Sequence, residues 1–277
     1  MALRSYEWLL ALYFIYTAIL AQALRLPPGV ATVTLLLNLT VLAAVALLAY
    51  VDGLRRRFFA IVRDWFPFPL ALLAYREMGW FAQPHRSTAL EEAWLRWDRW
   101  LLNDLGARRA IEVFGPVLPA ILEISYTLVY TLGLCGVAAL YVCGHRKRVP
   151  RFLFVFLFGV LIAYAQFPFW PSEPPRTLWP GQDFPSYETP FRRFNWWLLG
   201  GYGIHTSVFP SAHVSGAFSA AFGMIAVLPE KPWVGRCLLV MAVLIATATV
   251  YGRYHYLADA LAGLACAVLA VFVRKAT

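Results

Sequence analysis

Three short stretches place polar, chemically capable side chains where the surrounding sequence is apolar. In Tyr251-Gly252-Arg253-Tyr254-His255-Tyr256-Leu257-Ala258-Asp259, His255 and Asp259 stand four residues apart, so on a helix they share a face and can hydrogen-bond. A carboxylate on one ring nitrogen fixes the tautomer and leaves the other nitrogen a better nucleophile. A structural pair joining two helices is the plainer alternative. In Phe209-Pro210-Ser211-Ala212-His213-Val214-Ser215-Gly216, Pro210 suits the first turn of a helix. His213 then falls among the free N–H groups and positive dipole end, a setting that favours a bound phosphate. From there an imidazole can protonate a leaving oxygen, although a histidine that caps the helix or snorkels to the interface would read the same. In Pro171-Ser172-Glu173-Pro174-Pro175-Arg176, rigid prolines would present Arg176, whose planar, permanently charged fork suits phosphate oxygens. Arg192 and Arg193 read as headgroup contacts, and His205 as a residue behind the site.

These stretches must be held by a membrane protein. Of 277 residues, 61% are hydrophobic and 14% charged, against about a quarter charged in soluble domains. At ~20 apolar residues per crossing, the chain holds about eight spans, read as 6–24, 30–50, 65–83, 115–142, 151–170, 208–228, 234–252 and 255–273. The expected fold is an all-α polytopic bundle, divided into N-terminal spans plus an interfacial helix (1–114) and a catalytic membrane core (115–277). Ala21-Gln22-Ala23 imitates a signal-peptide cleavage site, but another apolar run follows at once and an uncleaved first span is expected. The net charge of +9 comes from basic residues dispersed at the ends of apolar runs, so lipid headgroups rather than nucleic acid are the expected partners. Cys135, Cys143, Cys237 and Cys266 all fall in apolar runs, and neither a disulfide nor a metal site is expected from them.

Short basic loops set the orientation. Arg55-Arg56-Arg57, Arg146-Lys147-Arg148 with Arg151, Lys231 with Arg236, and Arg274-Lys275 should face the cytoplasm. An even number of crossings then separates Arg57 from Arg146, so the weak third run, interrupted by Pro67, Pro69, Arg76 and Glu77, must span. Both termini are expected inside, and all three polar stretches share the extracytoplasmic face. On that face Thr88 and Glu91 have capping-box spacing, followed by Leu90, Trp94, Trp97, Leu101 and Leu105 as an apolar stripe, which reads as an amphipathic interfacial helix. Its Asp98 and Asp104 offer either a carboxylate pair for acid–base work or a solvated face, and the solvated face is the reading preferred here. Trp65, Trp80, Trp170, Trp196, Trp197 and Trp233 lie near span ends, as in an aromatic belt. Ser215, Ser219 and Gly223 repeat every fourth residue and should let helices pack closely.

In this order, Pro-Ser-x-Pro-Pro-Arg at 171–176, Pro-Ser-x-His at 210–213 and Tyr-Gly-Arg-Tyr-His-Tyr with its Asp at 251–259 resemble the type 2 phosphatidic acid phosphatase superfamily. More closely they look like its branch related to inositol phosphorylceramide synthase. The resemblance covers roughly 115–273. It implies a six-helix core and a metal-independent site without a cofactor. His255 would attack phosphorus to give a phosphohistidine and Asp259 would orient it. His213 would protonate the leaving alcohol and then activate water or an alcohol, and Arg176, Arg253 and Ser211 would hold the phosphate oxygens. The common phosphatase pattern has a lysine where this chain has Phe169, an arginine where it has Thr249 and a glycine where it has Ala212, departures that agree better with the synthase-like branch. The resemblance thus implies a lipid phosphate or phosphodiester donor, with water or a lipid alcohol as acceptor. Two other readings of the same residues are a lipid or headgroup transporter or scramblase, in which they mark a pathway, and a scaffold that keeps the fold without turnover.

Overall fold

The structure is a computed structural model that describes residues 3–54, 57–82, 87–204, 206 and 208–276. It is all-α, with no strand among the described residues. The helices are α1 (Ser5–Ala23), α2 (Pro28–Gly53), α3 (Arg57–Trp65), α4 (Pro67–Met78), α5 (Ala89–Arg99), α6 (Ala107–Glu112), α7 (Val117–Val142), α8 (Val149–Gln166), α9 (Pro175–Leu178), α10 (Pro190–Tyr202), α11 (Ala212–Val227), α12 (Pro232–Tyr251) and α13 (Leu257–Ala276). Seven stretches are long and apolar enough to cross a membrane, with α3 and α4 together forming one of them over Phe58–Phe81. This is the architecture of an integral membrane protein. The third run therefore starts earlier than its apolar pattern suggests and is divided at Phe66, just ahead of Pro67 and Pro69, which cannot donate to the ladder.

The remaining apolar helix, α11, has 16 residues and spans only about 24 Å of the ~30 Å hydrocarbon thickness. It lies at the centre of the bundle, packed by α7, α8, α12 and α13. Arg148, at the start of α8, donates to the Val227 carbonyl at the α11 C-terminus. With that end anchored, the short helix leaves its N-terminus, and His213 with it, recessed from the opposite face. Close packing holds it there. Ser215 and Ser219 are fully buried, Ser215 Oγ donates to the Gly159 carbonyl of α8 at 2.7 Å, and a Cβ at Gly159 would stand 1.9 Å from Ser219 Oγ.

Gly263 on α13 plays the same part against the site. An added Cβ would come within 2.4 Å of the Ser211 carbonyl oxygen, a backbone atom that cannot yield without moving the turn before α11. Gly263→Ala is expected to cost about 1–3 kcal/mol and to lower activity with it, read as a drop in thermal midpoint and turnover in nanodiscs. Unchanged values in both would show that the α11–α13 contact is looser than drawn.

One end of the bundle holds the short basic loop between α7 and α8 and its acidic partners. Arg4 reaches Asp64 at 2.6 Å, Arg146 reaches the same carboxylate at 2.8 Å, and Arg63 pairs with Glu7 and Asp52. Arg148 and Glu230 pair at 2.6 Å. These contacts tie the α1 start, the α2 end, the α7–α8 turn and the α11–α12 turn to one side. At the other side, Arg76 donates to the Tyr202 carbonyl and Tyr75 Oη accepts from the Ile204 amide, so α3 and α4 cross the bundle. Arg55 and Arg56 lie outside the described residues.

Helix α5 corrects its sequence reading. The buried face is Glu91, Trp94, Leu95 and Asp98, while Leu90, Trp97 and Leu105 point outward. The apolar stripe is thus divided: Leu90, Trp97 and Leu105 meet the surroundings, while Trp94 is buried and Leu101 packs against the core. The capping box does not form: Thr88 Oγ1 donates to Glu92 instead. Asp98 is fully buried, which overturns the solvated-face reading, whereas Asp104 is exposed.

Candidate active site

The turn between α12 and α13 is built around two carboxylates. Asp98 of α5 accepts from the Leu257 amide at 2.8 Å, capping α13, and pairs with Arg253. Asp259 accepts from the Tyr256 amide at 3.0 Å and lies 3.1 Å from His255 Nδ1. The Thr249 carbonyl takes the Tyr254 and His255 amides, which turns the chain sharply, with Arg253 at a φ of +66°. As a result the His255 ring is pinned through Nδ1, on the side away from Nε2. Burial, assisted by the Arg176 charge, holds this imidazole well below the ordinary histidine range, which favours its neutral form.

His213 arrives from α11. Ser211 is the N-cap, its hydroxyl accepting from the Val214 amide and its own amide donating to the Asp259 carbonyl at 3.0 Å. Two expectations change here. Pro210 precedes the cap rather than entering the first turn, and Ser211 is fully buried as the cap and does not line the cavity. The His213 and His255 ring centroids are 5.6 Å apart. Arg176, at the start of α9, is fixed by its amide to the Arg253 carbonyl at 3.2 Å and by Nη1 to the Tyr254 carbonyl at 3.0 Å.

These three residues share the wall of one cavity of about 320 Å³. The rest of its lining is mostly apolar, with the rings of Tyr75, Tyr126, Tyr130 and Tyr164 among it. The cavity extends between α4 and α7 to Leu72 and Tyr130, which are 58% and 50% exposed, so it opens sideways toward lipid. One permanent charge beside two imidazoles at the end of an apolar passage can bind and polarise a phosphate while excluding bulk water.

Arg253 stands elsewhere. It is fully buried, with Nη1 on Asp98, and it is not among the residues that line the cavity, while its Nε and Nη2 have no hydrogen-bond partner among the described residues; the geometry shows an anchoring contact that the resemblance does not imply. Arg192 is likewise buried, paired with Glu123 at 2.9 Å, and is no headgroup contact. His205 lies outside the described residues. Among the described residues no three His, Cys, Asp or Glu side chains gather in a form that could hold a metal ion.

Reasoning from spacing missed Glu123, Tyr126, Asn195 and the helix α10. Glu123 carried a readable signal, a carboxylate in an otherwise apolar span, which is costly unless partnered. Its partners, Arg192, Asn195 and Tyr254, are far away in sequence, and nothing local announces them.

No curated protein and no solved structure matches the chain. A family model described as the PAP2 superfamily matches residues 92–273. The match begins within α5, ahead of the 115 boundary suggested by the motifs, and so takes in the interfacial helix whose Asp98 holds the α12–α13 turn. The polar cluster at one end of an apolar bundle and this match over most of the sequence agree: the chain belongs to the PAP2 superfamily of phosphatases and phosphotransferases, and its function is of the lipid phosphatase type.

Proposed function

We propose that the protein is a lipid phosphatase or phosphotransferase that works through a phosphohistidine on His255. The observation that carries this reading is the meeting of His213, His255 and Arg176 on one cavity that opens toward the bilayer. His255 Nε2 attacks phosphorus and the bond to the leaving alkoxide breaks as His213 donates a proton to that oxygen. Neutral His213 then takes the proton of an incoming water or alcohol, whose oxygen attacks phosphorus as the P–N bond breaks. Arg176 neutralises the phosphoryl oxygens in both steps, the positioning and charge stabilisation on which phosphoryl transfer depends. Asp259 keeps the His255 tautomer.

The donor is a lipid phosphate or phosphodiester that reaches the site from the bilayer with its chain in the apolar passage. The motifs of the synthase-like branch favour a lipid alcohol as acceptor over water. With the short basic loops at the cytoplasmic side, the site faces the extracytoplasmic leaflet.

The test is purified protein in liposomes containing lipid phosphates, phosphodiesters and lipid alcohols, without added metal, with products identified by mass spectrometry against His255→Ala. Free phosphate and dephosphorylated lipid would define a phosphatase, and a new phosphodiester a transferase. Products equal in wild type and His255→Ala would overturn the reading.

A further inference from the structure

We propose that Tyr126 is a positioning residue for His213, held by a buried polar knot of Glu123, Arg192, Asn195 and Tyr254. The inference rests on the reading of His213 as the proton donor. On α7, Glu123, Tyr126 and Tyr130 follow at spacings of three and four residues and so share one face. The Tyr126 ring lies parallel to the His213 imidazole, with centroids 4.8 Å apart and planes 16° from each other. Its other side stacks on Tyr254 at 4.2 Å and 22°. Tyr130 meets the imidazole edge-on, with its hydroxyl 3.3 Å from Nε2. A face contact and an edge contact together leave the ring little freedom about either side-chain torsion.

The stack has a fixed base. Tyr254 Oη donates to Glu123 Oε2 at 2.6 Å, and Asn195 Nδ2 donates to the same oxygen at 2.7 Å. Arg192 Nη1 donates to Glu123 Oε1 at 2.9 Å and to the Gly252 carbonyl at 3.1 Å, and its guanidinium covers the Tyr254 ring at 5.7 Å. Glu123, Arg192 and Asn195 are each at most 5% exposed, so the knot is sealed from water. It joins α7, α10 and the α12–α13 turn, and through Tyr254 it sets the height of Tyr126. This gives α10, which carries no motif, a role in the chemistry.

The experiment compares two phosphate monoesters in proteoliposomes: a long-chain alkyl phosphate, whose leaving alkoxide must be protonated, and 4-nitrophenyl phosphate, whose leaving phenolate need not be. Tyr126→Leu is expected to lower kcat on the alkyl ester by about tenfold or more, a share of the roughly 10²–10⁴ that acid–base catalysis supplies. In the burst of nitrophenolate that accompanies phosphoenzyme formation from the nitrophenyl ester, the step before His213 acts as a base, the variant should lose no more than about threefold, because that leaving group needs little protonation. Tyr126→Phe, which keeps the stack, should restore the alkyl rate. Equal losses on both esters, or Phe failing where Leu fails, would overturn the proposal. A readout independent of turnover is the proton NMR shift of the His213 ring, assigned by its loss in His213→Ala. Stacking on Tyr126 should move these signals upfield in wild type and Tyr126→Phe but not in Tyr126→Leu. Shifts indifferent to all three would overturn the proposal even in a protein that hydrolyses neither ester, whereas silent esters with the expected shifts would count against the functional reading alone.

Discussion

Replacing His255 with alanine is expected to remove turnover of lipid phosphates altogether, a fall of roughly four orders of magnitude or more, since no other group can carry the covalent step. Incubation with a phosphorus-labelled donor should leave wild type with an acid-labile, base-stable label and the variant with none. His213→Ala should behave differently. Its loss of roughly 10²–10³ is expected with alkyl leaving groups, while an activated aryl donor should still load the phosphoenzyme, because phenolate departs without a proton. Asp259→Asn keeps an oxygen that can accept from Nδ1 and should lose only about 10–100-fold. The order of these three losses is the informative result. Wild-type turnover in all three would remove the site from the cavity wall and return His255 and Asp259 to a structural pair between α12 and α13.

Much of this arrangement is legible in the chain itself. A histidine four residues before an aspartate, at the mouth of an apolar run, is conspicuous because spans avoid such groups, and the structure brings it to within 5.6 Å of the other motif histidine. Parity of the basic loops required α3 and α4 to cross, and they do, despite two prolines. The failures share a physical cause. On α5, Glu92, Arg96 and Arg99 stay exposed while Asp98 turns inward to Arg253 and the α13 N-terminus, partners 155 and 159 residues away. Arg192, read as a headgroup ligand, is instead spent on Glu123. A pairing across 69 residues has no local signature. Glu123 showed only that a partner must exist, and Tyr126 was indistinguishable from any aromatic residue in a span until its ring was seen against His213.

Arg253 distinguishes the family's expectation from the geometry, and Arg253→Met is the substitution that decides between them. Arg253 and Asp98 are both fully buried, and removing one partner of such a pair strands the other charge, at a cost of about 3–5 kcal/mol. A lower thermal midpoint is therefore expected, with looser docking of α5 and loss of the α13 cap that Asp98 provides. Asp98→Asn alone should destabilise by a similar route, because the guanidinium is then the stranded group. The double variant Asp98→Asn, Arg253→Met should recover a good part of the loss, since a buried ion pair replaced as a unit costs far less than one broken. A residue that held the substrate's phosphate would give the opposite pattern. Arg253→Met would then keep the thermal midpoint and raise KM or lower kcat, and the Asp98 change could not repair it. Arg176 supplies the contrast, because it lines the cavity and its position is fixed by backbone carbonyls rather than by an acidic partner. Arg176→Met should cost catalysis with little loss of stability, so the two arginines, both assigned to phosphate by motif alone, should separate cleanly into one that meets the substrate and one that holds the turn on which the nucleophile stands.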